Sequence, residues 1–195
     1  GPVEAVVADA PSRAVDELVL ARLKALGLEP SPTCSDEVFV RRAHLDVIGT
    51  LPRLDEVRAF LRNRTPNRRA ALVDALLARE EFADYWALKW CTLLRVKSEF
   101  PINLWPNAVQ AYHRWIRTAL RANVPFDRFA RDLLTSSGSN VRVPQVNFYR
   151  AVQKKDAPTL ARAVALTFMG TRAEAWPKER LDGMAACFAR VGWKT

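Results

Sequence analysis

Along most of this chain apolar residues recur every third or fourth position, the spacing that gathers them on one face of an α-helix. The segment "SRAVDELVLARLKALG" opens on Ser12 as a helix cap and stops at Gly27, with Val15, Leu18, Val19, Leu23 and Leu26 on one stripe. In the next helix Ser35 caps, Asp36 and Glu37 suit the positive helix start, and Gly49 with Pro52 ends the pattern. A short helix "LDEVRAFLRN" follows, then "TPNRRAALVDALLA", with Thr65 as cap and Pro66 in the first turn. "EEFADYWALKWCTLLRV" is strongly apolar. "WPNAVQAYHRWIRTALRAN" and "VPFDRFARDLLTSSG", restarting at Pro125, read as two more. The chain finishes with "APTLARAVALTFMG", closed at Gly170, and "PKERLDGMAACFARVG", closed at Gly192.

No stretch alternates with period two between turn signals, and nothing repeats at a fixed period. The pattern predicts an all-α chain: about eight helices packed as one irregular helical domain over residues 12–195, with long loops near 98–106 and 136–148. Residues 1–11 read as a linker headed by a tag remnant, Gly1 and Pro2, so the domain is expected to be excised from a larger multidomain protein.

The helical rhythm breaks at "RVKSEFPINLWPNAVQAYHRW", residues 95–115, which holds two prolines and a belt of aromatics. Eight of the eighteen aromatic residues fall between Phe82 and Trp115. Trp86 and Trp90 share a helix face by their spacing and are expected in the core. Phe100 and Trp105 lie in the loop itself. Sugars stack on exposed aromatics, and Arg95, Lys97, Asn103 and Asn107 would supply polar groups around them. The candidate recognition set is Arg95, Lys97, Phe100, Asn103, Trp105, Asn107, Tyr112, His113 and Arg114. The competing reading is a plug over the core. An exposed Trp105 in a concave site would favour a carbohydrate; a Trp105 buried against Trp86 or Trp115 would count against one.

Charge adds a second candidate. The net charge is +9, with twenty-three Arg against seven Lys. Clustered Arg suits polyanions, and the densest patch is Arg62, Arg64, Arg68 and Arg69. Polyanion binding would require these to converge with Arg41 or Arg42 on one face. Otherwise the arginines simply cover solvated helix faces, and nucleic acid is not expected as a partner.

Catalytic chemistry finds little footing. The cysteines, Cys34, Cys91 and Cys187, lie far apart with no C-x-x-C, which excludes a zinc knuckle or a thioredoxin-type pair. Cys91 and Cys187, in apolar helical runs, are expected to be buried as small hydrophobes. The odd count gives no disulfide framework. His44 reads as a structural residue near Arg41 and Asp46. His113 adjoins the odd loop, but the nearest carboxylate in sequence is Glu99. No hydrolase, metallopeptidase, dinucleotide or phosphate-loop motif occurs, so no catalytic and no metal-binding residue is assigned. No run of eighteen apolar residues exists to span a membrane.

Three segments together carry a family likeness: R-R-x-x-L-D-x-x-G-x-L-P (Arg41 to Pro52), the Trp-containing helix "ALVDALLAREEFADYWALKW", and P-F-D-x-F-x-R-x-L-L (Pro125 to Leu134). From about residue 14 to its end the chain resembles the planctomycete-type cytochrome-associated domain of unknown function, the second of its group. The resemblance implies a part of large exported proteins of planctomycetes and verrucomicrobia, in the periplasm or outside the cell. It also implies a companion domain of the same polypeptide, downstream, as partner. Many such domains carry C-x-x-C-H, the mark of covalent c-type haem, after the penultimate helix. Here the corresponding stretch, "FMGTRAEAWPKERLDGMAACFARVG", has no His and only Cys187, with Trp176 and Pro177 in the equivalent region. Covalent haem is excluded there and no cofactor is expected. The sequence therefore reads as a non-catalytic helical interaction module that binds its companion domain or a ligand through the 97–115 region. A carbohydrate-binding or carbohydrate-processing domain, with an extracellular polysaccharide as ligand, is the first alternative. Polyanion binding is the second.

Overall fold

The computed structural model describes residues 14–192. It is all-helical: ten α-helices and no strand among the described residues. They are α1 (Ala14–Ala25), α2 (Asp36–Ile48), α3 (Leu54–Arg62), α4 (Arg68–Leu77) and α5 (Glu80–Leu93). Then come α6 (Pro106–Arg121), α7 (Phe126–Thr135), the four-residue α8 (Asn147–Arg150), α9 (Ala157–Met169) and α10 (Lys178–Ala186). The sequence pattern misses α8, which stands at the end of the expected 136–148 loop behind a 3-10 turn, Pro144–Val146. The Ser12 cap lies outside the described residues. None of the described helices is long and apolar enough to cross a membrane.

The described chain gathers into two compact units, residues 14–46 with 50–74, and residues 47–49 with those from 75 onward. In the first, Val40, Ala43, His44 and Phe60 are buried, and Phe39 stacks on Phe60 with ring centroids 5.9 Å apart. Asp36, at the start of α2, accepts hydrogen bonds from Arg68 and, at 2.9 Å, from Arg69. Arg69 also donates to the Cys34 carbonyl at 2.8 Å and lies over the Phe39 ring at 4.8 Å. Burial alone would raise the Asp36 carboxyl, but the two guanidiniums outweigh it and hold it below the usual carboxylate range. The apolar stripe of α1 departs from expectation. Val15, Leu18, Val19 and Leu26 are all exposed, and the helix has no buried residue. Helical spacing aligns the stripe, but burial needs an apolar counterpart, and none among the described residues covers it.

The second unit holds the larger core, with Tyr112, Ile116, Leu133, Phe148 and Leu160 at or near zero exposure. Each helix supplies a stripe to it. On α6 the stripe is Ala108, Tyr112, Ile116 and Ala119; on α7 it is Phe129 and Leu133. Trp90 and Trp115 lie against Phe129, at 5.1 and 4.9 Å between centroids. Helices α5 and α6 are also tied by charge: Arg117 bonds Asp84 and Glu80, and Arg121 reaches Glu80 at 2.6 Å. The link between the first two of the three motif segments becomes physical at Gly49. Its φ is +72°, and a Cβ there would sit 2.2 Å from the Tyr85 ring. Beside it the Trp86 indole N–H donates to the Val47 carbonyl at 3.1 Å. The glycine of one motif is thus fitted to the aromatic helix of the next.

Candidate ligand-binding face

The unusual loop begins where α5 ends. The Val96 N–H donates to the Cys91 carbonyl at 2.9 Å and the Arg95 N–H to that of Thr92 at 3.3 Å, a Schellman closure. Such a closure puts one residue in the left-handed region, usually glycine; here it is Arg95, with φ +57°. The loop then folds on itself. Ile102 and Asn103 both donate to the Glu99 carbonyl at 3.1 Å, and Leu104 donates to Lys97 at 3.1 Å. The Phe100–Pro101 peptide is cis, and Asn103 is the second left-handed residue. Trp105 caps α6, with Pro106 in the first helical position.

This backbone divides its side chains sharply. Leu104 is 5% exposed within the core cluster and Ile102 packs partly against it. Phe100 is 83% exposed and Trp105 74%, the two most exposed large hydrophobics among the described residues. The loop thus combines a side chain set in the core, Leu104, with aromatics turned outward, on neighbouring residues. Neither Trp86 nor Trp115 covers Trp105, which enters no ring pair among the described residues. Phe100, Asn103 and Trp105 instead border a concavity of about 450 Å³ whose other wall carries Asn140, Arg150 and Gln153.

The remaining expected residues scatter. Asn107 and Arg114 line a different depression along α6, with Trp115 and Val141. Lys97 is exposed and pairs with Glu99 at 3.2 Å. His113 is half-buried, without a hydrogen bond among the described residues, so Glu99 serves Lys97 rather than orienting an imidazole. Tyr112 belongs to the core, fully buried, and its hydroxyl finds no hydrogen-bond partner among the described residues. Burial raises its phenol well above the usual value; the nearby Cys91 thiol adds to this and Arg95 opposes it. Arg95 lines a third pocket with Arg162. Sequence reasoning missed Asn140, Arg150, Gln153 and Arg162. They lie far along the chain from the loop, and no local motif marks them.

Expectations elsewhere in the chain change as well. Cys187 is exposed, because α10 ends at Ala186 and leaves the cysteine at its C-cap instead of inside a buried turn. Cys91 is half-buried, its thiol pushed up to about 11 by burial, and all three cysteines are free. The arginine patch does not present four open cations, since Arg68 and Arg69 are drawn onto Asp36. His44 is a fully buried structural residue, partnered otherwise than by Arg41 or Asp46: its Nδ1 bonds the Val40 carbonyl at 2.9 Å and its Nε2 faces Glu56 at 3.7 Å. Among the described residues no three His, Cys, Asp or Glu side chains gather as metal ligands would.

No curated protein and no solved structure matches the chain. A family model does, over residues 14–187, a span that contains the Gly49–Tyr85 fit, the Trp-bearing helix and the whole 97–105 loop. The chain belongs to that family, PSCyt2, described as a protein of unknown function (DUF1549).

Proposed function

We propose that this domain is a non-catalytic interaction module of an exported multidomain protein, binding its companion domain through the face displayed by the 97–105 loop. The outward pair Phe100 and Trp105 is the observation that carries the reading. Exposed aromatics of this size lower their free energy when a partner removes them from water, and Trp and Arg recur as anchors of protein interfaces. The loop is held by its own backbone hydrogen bonds and by Leu104 in the core, so little order remains to be imposed on binding. The family resemblance supplies the partner, and with it a periplasmic or extracellular location.

One specific observation favours a second reading, a carbohydrate ligand. Trp105 stands exposed at the rim of a concavity bearing the amides of Asn103, Asn140 and Gln153. A ring to stack on, with amides to meet hydroxyls, is the chemistry a sugar requires.

Tryptophan fluorescence separates the two readings. The domain is titrated with the separately expressed region that follows it in its own polypeptide, and in parallel with a panel of oligosaccharides. A saturable shift with the protein, lost in Trp105→Ala, supports the interaction module. A shift with a sugar alone gives the site to carbohydrate. No shift with either overturns the proposal.

A further inference from the structure

Six arginines are half-buried among the described residues. Four of them, Arg68, Arg69, Arg79 and Arg117, bond carboxylates. The other two, Arg95 and Arg162, make no ion pair or hydrogen bond among the described residues, and both line one pocket of about 430 Å³. Nη1 of Arg95 and Nε of Arg162 are buried with no partner. A guanidinium taken partly out of water without a counter-charge is costly, which is why the other four are paired. Lys154 adds a third cation to the lining, against a single carboxylate, Glu174.

The backbone repeats the message. Arg95 occupies the left-handed position after α5, where glycine would sit without strain. A residue that breaks a local rule and also leaves its side chain uncompensated marks a place where something other than folding set the choice. Beside Gln153 and Thr159, the remaining walls are apolar, with Ile102, Val152, Ala163 and Leu166. The volume lies in the range of small-molecule sites, about 300–1,000 Å³.

We propose that this pocket binds a small organic oxyanion, an anionic oxygen group on an apolar body, with Arg95 and Arg162 on the charged end. The guanidinium fork suits carboxylate, phosphate and sulfate alike, and the apolar walls take the body. The site adjoins the Trp105 face, with Pro101, Ile102, Val152 and Gln153 bordering both concavities, but Arg95 and Arg162 line only this one and Trp105 only the other, and it stands whether or not that face binds a partner.

The test is calorimetric titration of the chain with hexanoate, hexyl phosphate and hexyl sulfate, each against hexanol. At least one anion is expected to saturate a single site while hexanol does not bind, and the one that binds identifies the head group. Amide signals of Val152 and Ala163 should shift as it does. Arg162→Gln and Arg95→Gly are each expected to weaken binding about tenfold or more, the loss of one charge-assisted hydrogen bond. Arg95→Gly should keep or raise the melting temperature, since glycine relieves the left-handed backbone. A merely structural arginine would not part stability from affinity in this way. Glu174→Gln should tighten binding, and Trp105→Ala should leave it unchanged. Absence of binding by all three anions, equal binding of hexanol, or affinities untouched by both arginine variants would overturn the site. So would loss of binding in Trp105→Ala, which would move the ligand to the neighbouring face.

Discussion

Where the 136–146 loop turns into α8, the aromatics, carried on α8 itself, face inward. Phe148 is fully buried and Tyr149 is 7% exposed, its hydroxyl donating to the Leu134 carbonyl at 2.9 Å. In the loop that leads into α6 they face outward, with Phe100 and Trp105 mostly in solvent. Both loops close themselves with hydrogen bonds. The first is pinned by Asn147, whose buried amide donates to the carbonyls of Asn140 and Pro144 at 2.8 and 2.9 Å. The second is pinned by backbone hydrogen bonds, Ile102 and Asn103 donating to the Glu99 carbonyl and Leu104 to that of Lys97. Both also lead directly into one core, which takes Phe148 just after the first and Leu104 within the second. Neither loop therefore needs its aromatics outside in order to fold. An aromatic left in solvent by a loop that is already closed and anchored is free to serve recognition.

The contrast is most sharply broken by truncating one aromatic from each loop. Phe148→Ala should cost about 3–5 kcal/mol in urea unfolding, the cost of a large core cavity. Phe100→Ala should stay within about 0.5 kcal/mol, as surface changes do. Equal costs would erase the difference between the loops.

The next comparison lies inside one loop, on adjacent residues. Leu104→Ala should lose about 2–5 kcal/mol, whereas Trp105→Ala should change stability by no more than about 0.5 kcal/mol. Thermal melts of the two variants side by side decide it. If Trp105→Ala is the more damaging, the loop is a plug throughout.

Asn147→Ala sharpens the account of the inward loop. Two carbonyls lose their donor, at about 1–3 kcal/mol, and hydrogen exchange at Val141 and Val143 should accelerate. Unchanged exchange would mean that the loop holds its shape without the amide. A smaller effect than that of Asn147→Ala is expected from Tyr149→Phe, about 1 kcal/mol for the bond to Leu134; no measurable loss would show the ring alone to be sufficient.

The helices were legible because their signals are local. Spacing and punctuation placed α2, α3, α6 and α9 to within a few residues, and Gly170 closes α9 in the left-handed region as expected. The ends were less legible. Helix α4 starts at Arg68, since a turn with Arg68 bonded to the Thr65 carbonyl precedes it, and α10 stops at Ala186, well before Gly192. The cap of α9, Asp156, which accepts from the Thr159 N–H, was readable and overlooked.

Of the candidate face, the loop could be located but not its sidedness. Which of Leu104 and Trp105 turns inward depends on a core supplied by α6 to α9, and adjacency in sequence hides it. Tyr112 is a different case. Its place on the stripe Ala108, Tyr112, Ile116, Ala119 marked it as core, and proximity to the loop obscured that signal. The far wall, with Asn140, Arg150 and Gln153, and the pairing of Arg95 with Arg162 in one pocket are products of tertiary folding alone.

The central claim is that Trp105 is displayed for binding and not for stability. It is tested most directly by measuring unfolding free energy and partner affinity together for Trp105→Ala and the unaltered chain. The account expects stability within about 0.5 kcal/mol and affinity for the downstream region reduced about tenfold or more, the scale of a lost interface anchor. A large loss of stability with affinity unchanged would contradict it.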